Sequence, residues 1–169
     1  MGIYLNPGNR AFYEAVNSKI YVDKTGLISY TNSVLNTLQK FVSVSRPRRF
    51  GKSMAADMLV AYYSSGCDSA ELFAGRAAEK GELFQEHLNQ HNVIRLDMQR
   101  FLESERELDT FIGKIENGVV AELKKMFPEC NDFSLNSRLK MVLEQIFSQT
   151  GKGFIFIILS LIHPGVKPL

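Results

Sequence analysis

Gly51, Lys52 and Ser53 stand together behind three arginines, Arg46, Arg48 and Arg49, and ahead of a run with helical spacing. The types and their order point to phosphate chemistry. A glycine lets backbone N–H groups close around an anion. A lysine ammonium reaches the outer phosphates, and a serine hydroxyl at a helix start is a ligand for Mg²⁺. The full pattern GxxxxGK[ST] is not met, because Arg46 stands at the first glycine and Pro47 has no N–H to donate. The other use for such a stretch is a surface turn carrying a solvated arginine cluster.

A loop of this kind needs a strand before it and a helix after it. Residues 41–45, Phe-Val-Ser-Val-Ser, alternate and are β-branched, which predicts the strand. Residues 53–63 predict the helix, with Met54, Met58, Leu59 and Tyr62 on one apolar face. Earlier in the chain, residues 9–18 predict a short helix with Phe12, Ala15 and Val16 inward. Ile20, Tyr21 and Val22 are β-prone, and Asp23 is placed to cap a helix running from about residue 24 to 31.

Downstream, residues 70–88 read as helical in parts with a break near Gly81, and residues 92–98 as a second core strand. Residues 103–126 form the clearest helix, ended by Pro128, with an apolar stripe most simply explained as core. Residues 135–147 repeat that pattern. Residues 154–158, Phe-Ile-Phe-Ile-Ile, suit a strand buried in a parallel sheet. Strands alternating with helices imply an α/β layer fold with a mainly parallel sheet.

Length and composition bound the function. A chain of 169 residues, 45% hydrophobic and 22% charged, suits one domain with one sizeable core. A net charge of +2 excludes bulk electrostatic binding to nucleic acid, which would need a local patch. Cys67 and Cys130 are not in CxxC spacing and suit thiols in a reducing cytoplasm. No signal peptide is legible, and the apolar run from 154 to 162 falls short of the ~20 residues of a membrane span. The expectation is a cytoplasmic protein without a membrane partner.

The stretch Arg46-Pro47-Arg48-Arg49-Phe50-Gly51-Lys52-Ser53 resembles the variant Walker A loop of the bacterial AAA-ATPase-like family, in which arginine at the first glycine is the usual form. The block from Ile20 to Ile28, with Tyr21-Val22-Asp23-Lys24-Thr25, is similar to the family's YVDKT segment. Glu71-Leu72-Phe73 and the run from Val93 to Asp97 fall where the family has an xLF element and a core strand. The resemblance covers residues 6–158. It implies a P-loop NTPase-like three-layer sandwich binding ATP with Mg²⁺. Residues 46–53 would line the nucleotide and Ser53 would hold the metal. Full-length members often carry a C-terminal nuclease-like domain.

The resemblance also sets an expectation that the sequence does not meet. An acidic run, the Walker B carboxylates that orient Mg²⁺ and water, should follow residue 158. The chain reads Leu159-Ser160-Leu161 instead. Residues 1–158 therefore read as the N-terminal part of such a domain, with an incomplete sheet and an exposed edge, and residues 159–169 as an aberrant tail from a frameshift or truncation. The expected behaviour is weak nucleotide binding with poor hydrolysis.

Other residues bear chemistry too. His87 and His91 lie one helical turn apart, a spacing Zn²⁺ uses, but Leu88 replaces the glutamate of HExxH and no third ligand is evident. An exposed polar helix face explains them more simply. Asp23 and Lys24 are candidates for nucleotide contact, or else a helix cap and a surface lysine. Asp97, ending a strand, is a weak candidate for the missing acid. The competing function is a non-enzymatic nucleic-acid or protein-binding module using the arginine loop. Self-association is a further candidate, and a fragment with no stable function is a third reading.

Overall fold

The computed structural model describes residues 2–45, 47, 50–98, 108–130, 133–135 and 137–159, and for residues 108–111 the backbone alone. Arg46, Arg48, Arg49, residues 99–107, where the helix expected from 103 would begin, and the tail from 160 onward lie outside the described residues.

Two strands make a parallel pair. β1 (Asn92–Asp97) and β2 (Phe154–Leu159) run in register from Asn92 opposite Phe154 to Asp97 opposite Leu159. Parallel neighbours need a long crossover. Here it contains α6 (Leu108–Met126) and α7 (Leu139–Thr150). Earlier elements are α1 (Arg10–Val16), α2 (Gly26–Val34), α3 (Lys52–Tyr63), α4 (Ala70–Phe73), a 3-10 turn (Ala77–Lys80) and α5 (Phe84–His87).

The strands alternate between two cores. Ile94 and Leu96 join Val119, Leu123, Val142 and Ile146 on the face covered by α6 and α7. Val93 and Ile157 join Phe12, Ile28, Met58, Tyr62 and Phe73 on the face covered by α3, α1 and α2. The period of two along each strand thus sorts side chains into layers above and below the pair. At the free side of β1, Leu5 bridges Ile94 antiparallel, and Glu122 accepts the N–H groups of Ile3, Tyr4 and Leu5 at 2.7, 3.0 and 2.8 Å.

Most expected elements are present with shifted ends. The break near Gly81 is real, and α6 stops two residues before Pro128. α7 starts at Leu139 rather than 135 and ends on Gly151, whose φ of +68° closes the helix through its N–H to the Phe147 carbonyl.

Three expectations fail. Residues 20–22 form no strand, and Ile20 and Val22 are exposed while Tyr21 packs its ring on Phe12. Residues 41–45 form no strand either, and Phe41 is 87% exposed. Alternation signals a pleated side-chain pattern, but a strand also needs a partner ladder, and among the described residues neither segment has one. β2 is also less buried than an all-apolar strand suggests. Only Ile157 is buried, while Phe156 and Ile158 are exposed, because β2 pairs with β1 on one side alone among the described residues. No helix among the described residues is long and apolar enough to cross a membrane.

Candidate functional site

α3 begins at Lys52, one residue earlier than its apolar spacing predicts. The residue before it, Gly51, has φ 74° and ψ 29°, the left-handed region that side chains resist. This turn lets the chain enter the helix at once. The Ala55 N–H already bonds to the Gly51 carbonyl at 3.0 Å. The N–H groups of the first turn therefore point out of the helix end, with the positive end of its dipole. Ser53 is exposed in that turn and Lys52 half-buried at its start. Phe50 is 60% exposed beside it.

The base of α3 is fixed from several sides. Asp57 pairs with Arg95 of β1 at 2.6 Å, with both side chains mostly buried. Tyr62 donates to the Phe84 carbonyl at 2.7 Å and accepts from Asn32 at 2.8 Å, while Tyr63 donates to Asn32 at 2.7 Å. Burial pushes the Tyr62 hydroxyl up to about 12, so it stays a neutral donor. Asn89, itself at φ 56°, closes the far end by donating to the carbonyls of Ala61 and Ser64 at 2.9 and 3.0 Å.

A second segment meets the loop. Lys24 donates to the Phe50 carbonyl at 2.7 Å, and a Cβ added to Gly51 would lie 2.7 Å from its ammonium nitrogen. The neighbours of Lys24 are clasped elsewhere. Asp23 accepts from the Thr25 N–H at 2.8 Å and from the Ala77 N–H at 3.1 Å. Thr25 is fully buried and accepts from the Ala78 N–H at 3.1 Å. Burial alone would raise the Asp23 carboxyl, but these N–H groups and the nearby Arg76 outweigh it and hold it below its ordinary value. Asp23 thus pins the turn before α2, while the expected helix cap is not formed: the N-cap residue is Thr25, with no side-chain cap bond. Thr25 escaped the sequence reading. Its signal was the Asp-x-Thr spacing ahead of a helix, which offers two oxygens to a neighbouring turn.

A groove of about 250 Å³ lies between α3, Val42, Val44 and β2 from Ile155 to Leu159, with Lys52 in its lining. Leu159, at the carboxyl end of β2, thus lines the same groove as Lys52, and open α/β sheets place ligands at the carboxyl ends of their strands. Asp97 stands opposite Leu159 at that end. His87 and His91 approach to 3.1 Å between ring nitrogens, a hydrogen-bond distance, with His87 buried rather than on an exposed polar face. Among the described residues no group of three or more metal-ligating side chains occurs. Cys67 and Cys130 are not in disulfides.

The geometry brings Gly51, Lys52 and Ser53 together at one helix end with Lys24 above them. Compared with known families, residues 10–160 match the one described as AAA-ATPase_like, predicted AAA-ATPase. No curated protein and no solved structure matches the chain.

Proposed function

The chain belongs to the AAA-ATPase-like family, and from that premise we propose that it is a P-loop nucleotide-binding domain that takes ATP with Mg²⁺ at residues 46–53. The observation that carries this reading is the left-handed turn at Gly51 opening directly into α3, with Lys52 its first residue. Bare backbone at Gly51 admits close approach by a phosphate. Lys52 supplies a cation to the outer phosphates, and Ser53 is the residue to hold Mg²⁺. The residues present fit the group in kind: N–H donors, ammonium and hydroxyl at one helix end. When bound, Mg²⁺ neutralises phosphate charge. Arg46, Arg48 and Arg49 belong to the proposed loop by sequence.

Hydrolysis is proposed to be slow. β2, whose end borders the groove beside Lys52, is Phe-Ile-Phe-Ile-Ile-Leu and carries no carboxylate to orient metal or water.

Thermal denaturation with Mg-ATP tests binding. A ligand at a hundred times its Kd stabilises by about 2.7 kcal/mol, which in a chain of this size raises Tm by roughly 5–10 °C. Lys52→Ala should abolish the shift. A wild-type protein without any shift would overturn the binding reading. Phosphate release at ~1 s⁻¹ or faster, an ordinary enzymatic rate, would overturn the slow-hydrolysis reading.

A further inference from the structure

Lys24 is an exposed lysine with an unusual placement. Its ammonium sits against Gly51, at the positive end of α3 and one residue from Lys52. Two ammonium-bearing residues and a helix N-terminus repel one another. Asp23 spends its direct hydrogen bonds elsewhere, on the N–H groups of Thr25 and Ala77. What holds Lys24 there is a neutral carbonyl, that of Phe50. The clasp of Asp23 and Thr25 on the 77–78 turn fixes the backbone on both sides of Lys24.

We propose that Lys24 is a second phosphate-contacting cation of this site, delivered to the Gly51 turn by the Asp23–Thr25 clasp and exchanging the Phe50 carbonyl for an outer phosphate of the nucleotide. The inference rests on the phosphate-loop reading of residues 46–53. An ammonium bonded to a neutral carbonyl gains from exchange to an anionic oxygen, since charge-assisted bonds with both partners ionised are the stronger ones. The reach is short, because the ammonium already lies over the residue whose bare backbone admits the phosphate.

The test uses the full chain and calorimetric titration with Mg-ATP, Mg-ADP, AMP and inorganic pyrophosphate, on wild type, Lys24→Gln, Lys24→Arg and Lys52→Ala. Lys24→Gln should weaken ATP and pyrophosphate by ~10-fold, the scale of one charged contact. It should leave AMP within about 2-fold and flatten the salt dependence of ATP binding. Lys24→Arg should restore most of the loss, and the urea midpoint of Lys24→Gln should fall only by the small amount that one exposed hydrogen bond accounts for. If Lys52→Ala loses ATP while Lys24→Gln binds it like wild type, Lys24 is only a latch on the loop and the inference fails while the phosphate-loop reading stands. Equal weakening of AMP and ATP would also overturn it, as a loss of loop shape. A wild-type chain that binds none of the four overturns both.

Discussion

Gly51→Ala is the substitution that most directly examines the geometry of the loop. Two effects are separable. The first is conformational: alanine at φ 74° suffers the left-handed penalty of about 1–2 kcal/mol, partly offset by about 0.4–1 kcal/mol of lost freedom in the unfolded chain. Gly66 provides a control, because its φ is 80° and a Cβ there meets nothing within 4 Å. Gly66→Ala should therefore cost about 1 kcal/mol. The second effect belongs to Gly51 alone. Its new Cβ would lie 2.7 Å from the Lys24 nitrogen, so the flexible ammonium must leave and the bond to Phe50 is lost. For an exposed bond this adds about 0.5–1 kcal/mol.

Urea denaturation of Gly51→Ala, Lys24→Ala and the double variant closes a thermodynamic cycle. In the Lys24→Ala background the cost of Gly51→Ala should fall by that same 0.5–1 kcal/mol, because no ammonium remains to be displaced. A coupling under about 0.3 kcal/mol would refute the contact between Lys24 and the turn. Mg-ATP titration of the folded Gly51→Ala protein should show weakened binding as well, since the methyl group stands where backbone must meet phosphate.

Two further perturbations probe the frame around the loop. Asn89→Ala removes the side chain that caps α3 at the Ala61 and Ser64 carbonyls and accepts the Ser69 N–H at 3.0 Å. At about 1 kcal/mol per bond it should cost roughly 3 kcal/mol by urea denaturation, and a loss below about 1 kcal/mol would show the cap to be dispensable. The second concerns pH. Burial, and next the His87 ring, lower the pKa of His91, against a smaller opposing pull from Glu86. The Tyr63 ring also faces it edge-on. The folded state thus holds fewer protons than the unfolded one just below the ordinary histidine pKa of ~6.5. This contribution is complete above that pH and is lost as pH falls through the lower folded value. His91→Gln should flatten the stability profile in that window, and an unchanged slope would assign it to other groups.

The sequence made the layers legible where periodicity and burial coincide. Val119 and Leu123 of α6 fall on the predicted stripe and are fully buried. Phe41, Val42 and Val44 misled because alternation reports side-chain pattern and is silent about ladder partners. Type and order alone single out Gly51, Lys52 and Ser53, and the left-handed turn opening into α3 is what the structure adds. The contact of Lys24 with Phe50 was not legible, since it joins segments brought together only by tertiary packing. Asn89 escaped for a related reason: its role depends on a positive φ that no local spacing announces.

The parallel pairing of β1 with β2 has a consequence for how the chain is made. During synthesis β1 leaves the ribosome carrying Val93, Ile94 and Leu96, and its neighbour Phe154–Leu159 is translated only after α6 and α7. The delay falls on the core of Ile94 and Leu96, whose partners Val119, Leu123, Val142 and Ile146 follow β1, whereas Val93 meets Phe12, Ile28, Met58 and Tyr62, already translated. The nascent chain therefore holds Ile94 and Leu96 without that cover until α6 and α7 have been made. Refolding should be slow for its size, because non-local parallel contacts must close before any layer is complete. Expression yield should then respond to chaperone supply more than to the surface composition of the finished molecule.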